Sequence, residues 1–274
     1  MPYRHAHYYV GFVLLVIAVG FWASYWSPIA TVPAALHFHA MSAMVWLSLL
    51  IVQSVSIHRR NNAFHKQAGL ASLALFPFLI LGLVMIADVA ARRYLAAESA
   101  FVLHNSPSFG IGVAIAIGAY LTLFYQALKN RRNVKLHAGY MLATPIILFE
   151  SPFSRVMGEY FPWMVNVIGS PEIHSVQDSI AVSDGFSFAF AMMLYFMNRK
   201  HGAPWLVAAF FVALQAVVMW FTPYVPFMGT LFGAYAHIPF AVTASAGIGA
   251  GILAGWLGWR AGAPVKRPVA EALA

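Results

Sequence analysis

The chain has 274 residues, of which 61% are hydrophobic, 15% aromatic and only 9% charged. A soluble domain carries about 25% charged residues, so the composition argues against a water-soluble globule. With no cysteine there is no disulfide, thiolate metal site or iron–sulfur cluster. The formal net charge of +8 does not signal nucleic acid, because a membrane protein gathers basic residues in its cytoplasmic loops.

Eight apolar segments are predicted, at 8–26, 35–57, 68–90, 105–128, 136–154, 173–197, 204–221 and 236–258. One bilayer crossing needs roughly 20 residues. The first segment is too long for a signal peptide and ends in Trp22, Tyr25 and Trp26 without a small-residue cleavage site, so it reads as a retained helix. No charged residue occurs between His201 and Trp259. As one helix that run would measure roughly 85–90 Å, so it divides, and Thr222-Pro223-Tyr224-Val225-Pro226 is the natural break. The expected fold is therefore all-α: a polytopic transmembrane bundle of about eight spans forming one domain over 1–260, with a cytoplasmic tail at 261–274.

With eight spans the charges sort by face. All of the 16 Lys and Arg except Arg92, Arg93 and Arg155 fall at the N-terminus, the even-numbered loops or the C-terminal tail, which places both termini in the cytoplasm. The acids reverse this bias. Asp88, Glu98, Glu150, Glu159, Glu172, Asp178 and Asp184 lie on or near the outer side, and only Glu271 lies inside.

The polar residues inside the spans are the functional candidates, since an ionisable group within a membrane normally faces a bundle interior or cavity. His37, His39, His104, His174 and His237 fall at outer span ends, and His58, His65, His137 and His201 at inner ends beside basic residues. In the second span His39, Ser42, Trp46, Leu49, Gln53 and Ser56 recur at helical spacing and share one face. His37 lies about 200° around from His39, in line with Met41 and Met44, a His/Met face suited to copper. Ser170-Pro171-Glu172 is a helix-start signal, below which His174, Gln177, Ala181 and Asp184 share a face, with Asp178 adjacent. Glu150 precedes Arg155, and an ion pair anchoring a kinked helix is the purely structural reading of that spacing. Gly247, Gly251 and Gly255 give the last span a small-xxx-small stripe for close helix approach. Gly110, Gly112 and Gly118 below His104 fit either a flat cofactor or tight packing.

His37, His39, Trp46 and Gln53, then His65 with Gly69, then His137 with Tyr140-Met141-Leu142-Ala143-Thr144 and Arg155, resemble a pattern in a group of uncharacterised bacterial polytopic membrane proteins. The likeness covers about residues 8–201 and implies a bacterial inner-membrane location without supplying an activity. The two-faced distribution of histidines is more loosely similar to that of b561-type membrane cytochromes, which hold two haems between four helices.

Three functional readings remain open. In a redox protein, haem b or a metal ion (iron, zinc or copper) would be bound by His39, His104, His174 or His237, with Trp46 and Gln53 beside the cofactor and a quinone or another redox partner. In a zinc-dependent membrane hydrolase, the same histidines would hold the metal and Glu150, Asp178 or Asp184 would act as ligand or general base on a lipid-like substrate. In a non-catalytic transporter or binding subunit, the polar stripes would line a path for a solute or protons. The sequence reading places His39, His104, Asp184 and His237 together in one outer-facing site. The basic inner ends suit anionic-lipid contacts in the surrounding bilayer. Alkaline phosphatase fused after Ala97 is expected to be active and a fusion after Asn130 inactive. The opposite result would invert the charge-based topology.

Overall fold

The computed structural model describes residues 3–166 and 168–264, and their regular structure is helical throughout. Helix α1 (Ala6–Gly20) runs into a π turn at Trp22–Trp26, and is followed by α2 (Ala34–His58), α3 (Asn62–Leu95), α4 (Ala100–Lys129) and α5 (Val134–Tyr160). A four-residue α6 (Pro162–Val165) leads to α7 (Ser175–Met197), α8 (Ala203–Phe221), α9 (Pro226–Ala236) and α10 (Phe240–Ala261). Among the described residues, six helices are long and apolar enough to cross a bilayer: α2, α3, α4, α7 with its leading turn, α8 with its trailing turn, and α10. The character is that of a multi-pass membrane protein. Helix α1 is apolar but has 15 residues, whereas α5 has 27 residues and carries His137, Glu150 and Arg155 in its sequence.

Each of the eight apolar segments coincides with a helix. The break after Phe221 also falls where Pro223 and Pro226 put it, but it contains more than a turn. A 3₁₀ turn at Thr222–Tyr224 opens into α9, which packs on α3 and α4 before α10 begins. Helix α9 escapes a reading by uncharged length, because its apolar residues continue the run on either side. Residues 265–274, with Lys266, Arg267 and Glu271, lie outside the described residues.

Local chemistry starts and bends the helices. The side chains of Asn61, Ser99 and Asn133 accept hydrogen bonds from Phe64, Val102 and Leu136 backbone N–H groups, capping α3, α4 and α5. Pro77, Pro107, Pro145 and Pro152 lie inside helices, and each lacks the N–H that would serve the carbonyl four residues earlier. At Pro145 that carbonyl is Met141 O, and the Thr144 hydroxyl donates to it at 2.8 Å. Thr144 Oγ1 accepts in turn from Trp46 Nε1 at 3.0 Å, joining α2 to α5. The Trp46 ring packs against Phe76 and Phe124, which stack at 3.9 Å between centroids. This aromatic cluster is the mid-bundle core.

The long helices, leaving aside the short α6 and α9, alternate in direction, so the C-terminal ends of α2, α4, α7 and α10 share one end of the bundle with the N-terminal ends of α3, α5 and α8. Arg59, Arg60, Lys66, Lys129, Arg131, Arg132, Lys135, Arg199 and Lys200 all map to that basic end. The glycine stripe of α10 closes against α3 and α4 as its spacing implies. Gly247, Gly251, Gly255 and Gly258 are the buried residues of the helix. A Cβ at Gly251 would stand 2.8 Å from Pro77 Cα, whereas one at Gly249 would meet nothing within 4 Å. Gly251→Leu is therefore expected to lower the melting temperature in detergent or prevent assembly, with Gly249→Ala close to wild type. Equal behaviour of the two would show that α10 is not held by this stripe.

Candidate functional site

At the end opposite the basic one, α4, α7 and α8 bring their polar residues together. His174 is almost fully buried, and its Nδ1 stands 3.4 Å from His104 Nε2. Its ring lies edge-on to Trp220 and against Tyr224. One turn on, Asp178 accepts hydrogen bonds at 2.9 Å from both Ser170 Oγ and Trp220 Nε1. Gln177 donates to Asn105 Oδ1 at 2.7 Å, and Asn105 donates to Phe101 O at 2.9 Å. Ser170 does not cap the helix as its sequence context suggests. Its hydroxyl is drawn to the Asp178 carboxylate, and a 3₁₀ turn at Glu172–His174 precedes the α-helix.

Below this network the site changes from satisfied to unsatisfied. Glu150 of α5 and Asp184 of α7 are both buried. Gln215 of α8 donates to Glu150 Oε2 at 3.3 Å, and Ser183 donates to the Glu150 backbone carbonyl at 3.1 Å. Neither oxygen of Asp184 has a hydrogen-bond partner among the described residues, and the Gln177 Oε1 above and Ser187 Oγ below are likewise without one. The run continues inward. Tyr9 of α1 packs against Phe190 of α7, and the hydroxyls of Tyr9 and of Tyr120 on α4 are both buried without partners. A carboxyl buried away from water needs a proton or a cation beside it. Buried polar atoms left over in native proteins usually mark a ligand, an ion or internal water.

The ion pair expected between Glu150 and Arg155 is not formed. The Arg155 guanidinium turns back onto its own helix, donating to Ser151 O and Oγ at 2.8 and 2.9 Å, and lies over the Phe21 ring. Helix α5 therefore leaves its cation at the exposed end and its acid inside.

The four residues expected to converge have different immediate neighbours. Asp184 is buried without a hydrogen-bond partner among the described residues, and His104 meets His174. His39 lies against Gly82 of α3, with its Nδ1 buried and without a partner. His237 is exposed at the junction of α9 and α10. His37 is taken by Tyr25, whose hydroxyl stands 2.9 Å from its Nδ1, and Met41 on the same face is exposed. Trp46 serves the core bond to Thr144. Gln53 lies toward the basic end, beside Gly69. Sequence reasoning missed Asn105, Trp220 and Gln215. The last had a readable signal, a single amide in an otherwise apolar α8.

The donor set also tests the cofactor readings. Zinc–nitrogen bonds of about 2.0–2.1 Å put two ligand nitrogens of a tetrahedron about 3.4 Å apart, which is the His104–His174 spacing. Catalytic zinc takes three protein ligands. Among the described residues no third His, Asp or Glu joins any such group, so a hydrolytic centre is two donors without the third. A flat haem beside His104 would need the space under the α4 glycines. A Cβ at Gly110 would strike the Phe232 ring and one at Gly112 the Met219 sulfur, so that space is already filled by packing.

No protein-family model, curated protein or solved structure matches the chain. Gln215→Leu leaves a buried Glu150 oxygen without its donor and is expected to cost about 1–3 kcal/mol, read as a lower melting temperature in detergent. An unchanged melting temperature would mean that the 3.3 Å contact contributes nothing.

Proposed function

We propose that this chain is a proton-handling transporter of the bacterial inner membrane. It has eight spans with both termini in the cytoplasm, the six long apolar helices being joined by α1 and α5. Protons enter from the outer face at the His104–His174 pair, pass the Asp178 and Gln177 level, and are held by the Glu150–Asp184 carboxyls. The observation that carries this reading is the run of buried polar atoms without protein partners, from Gln177 Oε1 through Asp184 and Ser187 to the Tyr120 and Tyr9 hydroxyls. Such a run costs stability at every member and is understandable if its hydroxyls and carboxyls exchange protons with internal water.

The test is proton flux into liposomes holding a pH-sensitive dye, under an imposed potassium diffusion potential. Wild-type protein is expected to exceed protein-free vesicles, with Asp184→Asn lowering the rate at least about tenfold if loss of the site removes 1.4 kcal/mol or more of barrier reduction. The same substitution should leave thermal stability equal or higher, because it replaces a buried acid that has no partner. Flux no faster than in empty vesicles, or equal in wild type and variant, would sink the proposal.

A further inference from the structure

A second unsatisfied place lies at the basic end, outside the proton path. Helices α2, α3, α4, α5 and α10 and the segment before α1 enclose a cavity of about 240 Å³ there. It is smaller than the roughly 300–1,000 Å³ of sites for drug-sized ligands, so it accommodates a single substituted ring and not a macrocycle. Its walls are mostly apolar and include Leu49, Leu50, Met141 and Trp259.

Three histidines line this cavity, and all are oriented in the same way. His58 Nδ1 lies 2.6 Å from Ser54 O, His65 Nδ1 3.3 Å from Gln53 O, and His137 Nδ1 2.8 Å from Ala127 O. A carbonyl can only accept, so each Nδ1 carries the hydrogen, and on a neutral ring each Nε2 is left as an acceptor. Gln53 Oε1 is a fourth acceptor, buried without a partner, as is His58 Nε2. The hydroxyls of Ser54 and Tyr3 are buried donors, Ser54 without a partner, and the Gln53 amide and Lys66 ammonium add N–H donors. Burial pushes the Tyr3 phenol up from its ordinary value, which keeps that proton in place. Lys66 and Arg131 complete the lining, but Arg131 is held over Trp259, donating to Leu128 O and Trp259 O.

Three histidine Nε2 atoms and the Gln53 carbonyl oxygen suit a guest that brings hydroxyl hydrogens, and the Gln53 amide and Lys66 ammonium can donate to its oxygens. Apolar walls around ring-sized space suit a flat body, and the membrane setting suits an apolar tail. We infer that this cavity binds the head of a membrane-soluble benzoquinol, whose hydroxyls donate to the free Nε2 atoms of His65 and His137 and whose ring lies among Leu49, Met141 and Trp259.

The test is titration of the detergent-solubilised full chain with a decyl-substituted benzoquinol and its quinone, followed by tryptophan fluorescence. Saturable quenching is expected, with the saturable component lost in Trp259→Phe. The affinity should fall at least tenfold in the His65→Gln/His137→Gln double variant, and binding should be abolished by Ala138→Phe, whose ring enters the cavity. Should the double variant fail to fold, Gln53→Leu serves instead, with a several-fold loss expected. Non-saturable quenching, quenching indifferent to these substitutions, or displacement by inorganic phosphate or phosphatidylglycerol vesicles would overturn the inference, the last in favour of an anion site. Proton flux is not part of the readout, so the outcome is independent of the transport proposal.

Discussion

Pro145 leaves the Met141 carbonyl without an amide partner in the middle of the bundle, and the chain meets that need with two side chains. Thr144 donates to the carbonyl and accepts from Trp46, so a defect in α5 becomes the bond that fixes α2 against it. Lipid offers no substitute partner, because an unsatisfied backbone group there costs several kcal/mol. The position of Trp46 then determines the stacked Phe76–Phe124 core, and with it how α3 and α4 face α10. Removing this one compensation would release a carbonyl, an indole N–H and the packing of three helices together.

Against that economy, the places where the bundle leaves polar atoms without partners stand out. At the end opposite the basic one Asp178 receives two hydrogen bonds and Gln177 reaches Asn105. Less than two turns deeper, Asp184 receives none among the described residues. The same helix therefore saturates one carboxylate and leaves another bare, and propensity cannot account for the difference, since both sit on its buried face. A structural role for Asp184 would call for a donor within reach. Gln215 and Ser183 both serve Glu150 instead.

Much of the architecture was readable from the sequence, because length, charge and helical spacing act along one helix at a time. The eight apolar segments, the break near Pro223 and the glycine stripe of α10 are of this kind. Some of the candidate residues were readable too: Glu150, Asp178, Asp184, His104 and His174 all lie in the half of the bundle away from the basic end. Their partners were not. Whether His39 meets His104 or Gly82 depends on the rotation of α2 against α3, which a pattern of small and polar residues constrains only loosely. Likewise Arg155 is spaced to reach Glu150, yet its guanidinium finds Ser151 and the Phe21 ring, a choice set by α1 crossing α5 where Gly20 approaches Pro152.

The histidines at the basic end were the least legible, and the reason is physical. Flanked by Arg and Lys, they read as headgroup contacts, because sequence cannot show that a ring nitrogen is already occupied. The fold uses Nδ1 of His58, His65 and His137 to satisfy carbonyls near helix ends, which by itself is routine capping. Three such caps around one cavity turn three ordinary helix-end contacts into a set of inward acceptors. Between that cavity and the outer carboxyls stands the aromatic cluster of Trp46, Phe76 and Phe124, which brings no titratable group to the interval. Chemistry at either end therefore has to communicate along α1 and α4, where Tyr9 and Tyr120 carry the remaining buried hydroxyls without partners, or not at all.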